Sequence, residues 1–123
     1  MNATIKAVGQ ILIVEDDRAI YNAMQILLRH YEYDVKLATT ISQARRLLQP
    51  APDFVLLDLV LPDGTSDVLL REIIAQKIST RVIVITACED PVMLRQVTQL
   101  KPEMILRKPI NFLELLARLK PVL

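Results

Sequence analysis

Three short runs of the chain are apolar at every position, Ile11–Val14, Phe54–Leu57 and Val82–Ile85, and a fourth, Met104–Leu106, is shorter still. Each is too brief for a helix. Such runs suit strands covered on both faces, as in a parallel sheet. Val35-Lys36-Leu37 alternates instead, which places it at a sheet edge. Helical patterns lie between the runs. Ile20, Met24, Leu27, Leu28 and Tyr31 recur at the spacing of one helix face, and Ile41, Ala44, Leu47 and Leu48 repeat it behind Thr40 as N-cap. Val68–Gln76 reads as a third helix and Pro91–Leu100 as a fourth, with proline at its first position. Asn111 followed by Glu114 resembles a capping box opening a fifth helix, with Pro121 near its end. Pro50-Ala51-Pro52 is a stiff turn. Strand then helix, five times over, predicts an α/β domain with a parallel sheet and right-handed crossovers.

Composition narrows the function classes. A chain of 123 residues, 52% hydrophobic and 24% charged, suits one globular domain. Its formal charge of +1 lacks the basic footprint of a stand-alone nucleic-acid binder. Arg45-Arg46 and Arg107-Lys108 are the only adjacent basic pairs, and the first reads as a solvated helix face. The lone Cys88 cannot form an intramolecular disulfide, which points to a reducing compartment. Residues 1–10 hold no apolar core for a secretory signal, and no apolar run approaches the roughly 20 residues of a membrane span. The expectation is a cytoplasmic protein with no membrane partner.

The polar residues that follow each apolar run carry the chemistry. Ile11–Val14 leads into Glu15, Asp16 and Asp17, Phe54–Leu57 into Asp58, Val82–Ile85 into Thr86, and Met104–Leu106 through Arg107 to Lys108-Pro109. In a parallel sheet all strand C-termini share one edge, where open α/β folds bind ligands. Carboxylates, a hydroxyl and an ammonium distant in sequence are thereby gathered into one pocket. Clustered carboxylates repel, so the pocket suits a hard divalent cation with oxygen ligands, most naturally Mg²⁺. One carboxylate can then attack phosphorus while the hydroxyl and ammonium bind the phosphoryl oxygens, a chemistry carried by positioning and electrostatics. Taken singly, each residue has a plainer reading: an aspartate at a strand end caps helices, a threonine there bonds to backbone, and a lysine lies in solvent. Their joint placement carries the argument.

The segments ILIVEDD, LLDLVLPDG, VIVITA and LRKPI, in this order, resemble the signature blocks of response-regulator receiver domains in two-component signalling. The resemblance runs from about Ile11 to the C-terminus, giving an N-terminal extension over 1–10 and a receiver domain over 11–123. It implies a flavodoxin-like (βα)5 doubly wound fold with a five-stranded parallel sheet in the order 2-1-3-4-5. It implies that Asp58 is the phosphoacceptor, with Thr86 the switch hydroxyl and Lys108 the phosphate-pairing lysine before a cis bond to Pro109. Asp16 would contact Mg²⁺ directly and Glu15 through water, with Asp58 and the backbone carbonyl of Val60 as further ligands. Asp17 falls beyond the acidic pair, at the start of the first helix. The implied partners are a sensor histidine kinase or histidine phosphotransfer protein, and a downstream effector protein on the face of the fourth helix, fifth strand and fifth helix. Direct nucleic-acid binding is not implied. Such a domain is not an enzyme in the turnover sense: it catalyses its own phosphoryl transfer and autodephosphorylation.

Four positions at three places depart from the family pattern. Ile105 stands where many relatives carry an aromatic, Ser66 where glycine is usual, and Lys101-Pro102 replaces a glycine-alanine turn. They bear on how a signal reaches the surface. Two other readings compete. Asp63-Gly64-Thr65 superficially suggests an aspartate-nucleophile hydrolase, but that motif wants an aspartate at position 61, which is Leu61. The other is a receiver-fold interaction module not regulated by phosphorylation. The chain ends just after the fifth helix with no effector visible, which favours a stand-alone protein over the first domain of a larger regulator.

Overall fold

The computed structural model describes residues 7–119. Five strands, β1 (Gln10–Val14), β2 (Asp34–Ala38), β3 (Phe54–Asp58), β4 (Arg81–Thr86) and β5 (Met104–Arg107), form one parallel sheet in the order β2-β1-β3-β4-β5. Helices α1 (Arg18–His30), α2 (Ile41–Arg46), α3 (Asp67–Ala75), α4 (Pro91–Gln99) and α5 (Phe112–Leu119) each follow one strand. The expected order and pairing are therefore observed. Pro121 and residues 1–6 of the expected extension lie outside the described residues. Gln10, the last residue of that extension, pairs with Asp34 as the first residue of β1.

The apolar runs become strands because each side chain finds a layer to enter. Ile11, Ile13, Phe54, Leu56, Ile83 and Ile85 point to one face, where Met24 and Leu28 of α1 and Leu115 and Leu119 of α5 cover them. Leu12, Val14, Val55, Leu57, Val82 and Val84 point to the other, beneath Ile41 of α2, Leu69, Leu70 and Ile73 of α3, and Val97 of α4. Successive side chains of a strand alternate between faces, so two apolar layers need a run apolar at every position.

Three local expectations are corrected. β5 is covered less fully than the inner strands: Leu106 is buried, while Met104 and Ile105, which pack on opposite layers, are half-buried, because β5 forms the far edge of the sheet. α2 stops at Arg46, although the apolar periodicity continues through Leu48, which is still buried. Pro50 lacks a backbone N–H and disfavours helical geometry in the residue before it, so the turn cannot propagate. Finally, a short antiparallel hairpin of Val60–Leu61 against Gly64–Thr65 interrupts the alternation between β3 and α3. Gly64 sits there at φ +141°, backbone that an L side chain rarely adopts.

The helix starts follow their capping residues. Asp17 accepts from the N–H groups of Ala19 and Ile20 at 3.0 and 3.2 Å. Thr40 accepts from Gln43, Asp90 from Val92, and Asn111 from both Leu113 and Glu114. These bonds satisfy N–H groups that have no partner within the helix.

Two residues of α1 test this packing. Leu28 is 0% exposed and Ile26 69% exposed. Leu28→Ala should cost about 2–5 kcal/mol of unfolding free energy in a denaturant titration. Ile26→Ala should stay within about 0.5 kcal/mol of wild type; equal costs would mean that α1 is rotated.

Candidate functional site

The C-terminal ends of β1, β3, β4 and β5 meet at one edge. Register places Val14 beside Leu57, Asp58 beside Ile85, and Thr86 beside Arg107. Backbone bonds carry the order past the strand ends: Glu15 N–H donates to Ala38 at 2.9 Å, and Lys108 N–H donates to Thr86 at 2.9 Å. The peptide bond from Lys108 to Pro109 is cis, as the resemblance implied.

Glu15, Asp16 and Asp58 each offer a carboxylate oxygen within 4.8 Å of the others. Glu15 and Asp58 are buried, at 2% and 7% exposure, whereas Asp16 is exposed. Lys108 Nζ joins the two buried carboxylates, 2.9 Å from Glu15 Oε1 and 3.1 Å from Asp58 Oδ2. The other Glu15 oxygen accepts from Asp17 N–H at 3.2 Å.

Burial pushes the Glu15 carboxyl above its ordinary range; the bonds from Lys108 and Asp17 pull against that rise, and the Asp58 charge adds to it. Burial alone would draw Lys108 down, but its bonds to Glu15 and Asp58 win and hold the ammonium above its ordinary value. Of the three converging carboxylates, the two buried ones therefore share one cation in direct contact. Such an oxygen-rich, negatively charged donor set fits a hard divalent cation such as Mg²⁺.

The remaining candidates also lie around this edge. Thr86 is 1% exposed, and its Oγ1 accepts from Cys88 N–H at 2.9 Å. Val60, two residues beyond Asp58, is 56% exposed in the first arm of the hairpin. Cys88 is half-buried against the α2–α4 layer, and Ile105 packs into that same layer with Met93 and Leu94.

Several features escaped the sequence reading. The Lys108–Glu15 bond was one: the residues make Lys108 the main countercharge near the acids, but that it bonds Glu15 as well as Asp58 is shown only by the 2.9 and 3.1 Å contacts. Asp63 was another. Its oxygens accept from Ile41 N–H at 2.9 Å and Ser42 N–H at 3.1 Å, which lowers its pKa and ties the hairpin to the start of α2. That occupation counts against Asp63 as a nucleophile. Among the described residues, the metal-capable acidic group forms around Asp58 and does not include Asp63. The third is Ser66, 0% exposed, whose hydroxyl donates to the backbone carbonyl of Asp58.

Residues 11–120 match the family model described as the response regulator receiver domain. The chain is 35% identical over 115 residues to the transcriptional regulatory protein KdpE of Staphylococcus aureus, covering 93% of this chain and 49% of that protein. It is 32% identical over 117 residues to the transcriptional regulatory protein TrcR of Mycobacterium tuberculosis, covering 93% of this chain and 45% of that protein. The chain thus spans about half the length of the curated relatives it matches. Among solved structures it resembles the non-phosphorylated HemR receiver domain of Leptospira biflexa, with TM-score 0.82, 33% identity, and coverage of 94% of this chain and 92% of that one. A CheY-like receiver domain from Methanospirillum hungatei shares the fold at TM-score 0.85 and 24% identity, covering 93% of this chain and 92% of that one. No helix among the described residues is long and apolar enough to cross a membrane.

The shared ammonium makes a signed prediction. Lys108→Met leaves Glu15 and Asp58 without their contact cation and should lower stability at pH 7 by roughly 2 kcal/mol. Losing Lys108 removes a bond that holds the Glu15 pKa down, so that pKa rises further in the folded state. A folded-state pKa above the unfolded value favours folding as pH falls, so the deficit should shrink between pH 7 and the ordinary glutamate value of 4.5. Asp58→Asn should instead raise the metal-free unfolding midpoint, because it removes one of the repelling charges. Thermal midpoints of the three proteins across that pH range check both signs.

Proposed function

Since this chain belongs to the response regulator receiver domain family, we propose that it is a phosphorylation switch in which Asp58 accepts the phosphoryl group. The observation that carries the reading is the approach of Glu15, Asp16 and Asp58 to within 4.8 Å of one another, with Lys108 Nζ bonded to Asp58. Asp58 is the one aspartate at the end of a fully buried central strand, with its side chain in that cluster.

A carboxylate oxygen of Asp58 attacks phosphorus in line with the leaving group. The phosphorus–nitrogen bond of a donor phosphohistidine breaks, its electron pair stays on the imidazole, and an acyl phosphate remains. Glu15, Asp16, Asp58 and the carbonyl of Val60 would hold Mg²⁺, which supplies neutralisation of charge on the transferring group. Lys108, already 3.1 Å from Asp58, binds a phosphoryl oxygen as a charged donor. Thr86 donates its hydroxyl to another. Hydrolysis of the acyl phosphate resets the domain, so the protein catalyses its own cycle rather than the turnover of a separate substrate.

Two surfaces flank this edge. A shallow apolar groove lined by Ile20, Ala23, Pro109, Ile110 and Phe112 adjoins Lys108 and suits a helix of the histidine kinase or phosphotransfer protein that brings the phosphoryl group. On the opposite layer α4 contributes a single buried residue, Val97, whereas α1 and α5 contribute two each and α3 three. A lightly anchored helix is the element whose position a small energetic change can shift. This supports an effector protein on the face formed by α4, β5 and α5.

Incubation with a small acyl phosphate and Mg²⁺, followed by intact-mass measurement, tests the acceptor. Wild type should gain one phosphoryl mass and Asp58→Asn none; equal labelling would move the site elsewhere. The output face is tested by amide shifts with and without a beryllofluoride mimic of the phosphoryl group. Changes should run from Ala87 through Met93, Leu94 and Val97. Changes confined to the pocket, or centred on α1, would exclude that face.

A further inference from the structure

Ser66 holds a hydroxyl where it is least expected. It is the N-cap of α3, yet its side chain makes no capping bond to that helix. Serine at an N-cap ordinarily accepts from the second or third N–H of its own helix. Here the hydroxyl turns back and donates to the backbone carbonyl of Asp58, eight residues earlier, in a site with 0% exposure. Its own N–H donates to the next carbonyl, that of Leu59, at 2.8 Å. One residue therefore grips two consecutive carbonyls leading out of Asp58. Between these anchors the hairpin closes, with Val60 opposite Thr65 and Leu61 opposite Gly64. Leu59 and Leu61 are both buried in the layer beneath α2–α4.

We propose that Ser66 is a positioning residue for the phosphorylation site, fixing the peptide planes of Asp58 and Leu59 and hence the direction in which the Val60 carbonyl leaves them. The inference rests on the receiver reading, in which that carbonyl and the Asp58 carboxylate are ligands of one Mg²⁺. A backbone ligand has no rotamer of its own, so its aim is set by the neighbouring peptides. A glycine in place of Ser66 could donate its N–H to Leu59 but has no group to offer Asp58. The hydroxyl bond is thus an addition that a glycine could not make, at the expense of a cap on α3. Groups that orient metal ligands from behind affect affinity without touching the ion.

The test uses the full chain and Mg²⁺ alone, followed by amide shifts in a titration without phosphodonor. Ser66→Ala keeps the Cβ and the N–H but deletes the hydroxyl. It should weaken Mg²⁺ binding by about tenfold. Ser66→Cys, which retains a weak donor, should fall between Ala and wild type. Backbone amide exchange should rise at Leu59 and Val60 in Ser66→Ala relative to the β4 amides, whereas a loss of general stability alone would raise exchange in both. Equal Mg²⁺ affinity in wild type and both variants overturns the proposal. If wild type itself binds no Mg²⁺ and takes no phosphoryl group, the underlying receiver chemistry fails instead. If Ser66→Ala does not fold, Ser66→Cys decides alone: wild-type affinity with wild-type exchange at Leu59 overturns the proposal, and reduced affinity supports it.

Discussion

Lys108 Nζ lies within bonding distance of both Glu15 and Asp58, and the rest of the site is arranged around that shared ammonium. The two acids come from different strands, β1 and β3, which pair directly in the sheet, and the lysine comes from the end of β5 at the far edge. A cation can neutralise both acids only if all three strand ends stop at the same level. The parallel sheet supplies this, since Thr86 pairs with Arg107 and its carbonyl receives the N–H of Lys108. An exposed ion pair would contribute little. Here the carboxylates are buried, and a buried charge without a partner is far more costly than a satisfied one.

That constraint also explains why the core is divided as it is. The sheet must be covered on both faces to bury the strands that carry the acids, and each central strand splits its side chains evenly between the two layers. Polar groups are admitted only where the strands end. Glu15, Asp58, Ser66 and Thr86 are the buried polar residues among those described, and all four belong to this edge. Each has a partner: Glu15 and Asp58 share Lys108, Thr86 accepts from Cys88, and Ser66 donates to Asp58. Few other polar atoms needed to be buried, and Thr80 Oγ1 alone among the described buried side-chain atoms lacks a partner.

Much of this was legible in sequence because two signals coincide at the same positions. An apolar run marks a buried strand, and the first polar residue after it marks the shared edge, so Glu15, Asp58 and Thr86 could be gathered before any distance was known. Asp17 and Asn111 were legible as helix starts for a local reason, since a capping side chain bonds within three residues. The illegible parts depend on distant geometry. Asp63 caps α2 from 22 residues away, and no local pattern encodes that reach. Ser66 read as a mere departure from glycine, because the carbonyl it binds offers no side-chain signature. The end of α2 was obscured by Leu47 and Leu48, whose apolar spacing continues beyond the helix and still fills the layer.

The same two loops now differ in how firmly they are held, and that difference bears on switching without an aromatic at position 105. The loop after Asp58 is closed by Ser66 on two carbonyls, by the hairpin, and by Asp63 on α2, while Arg45 and Glu72 join α2 to α3 through two contacts of 2.7 Å. The loop after Thr86 has a lighter hold. Among the described residues no ion pair involves α4, and the Arg107–Glu89 pair just before it spans 4.0 Å between exposed groups. The contact closest to the pocket is Cys88 N–H on Thr86 Oγ1. In the proposed switch that same hydroxyl turns toward a phosphoryl oxygen, a stronger acceptor than any it meets without phosphate. A turn that draws Oγ1 away from Cys88 N–H would free the start of the segment that leads into α4. Ile105, a β-branched side chain packed on the same layer as Met93 and Leu94, cannot swing into the vacated space as a ring would. In that switch the displacement would be carried by backbone: one hydrogen bond exchanged at Thr86, and the most lightly buried helix following it.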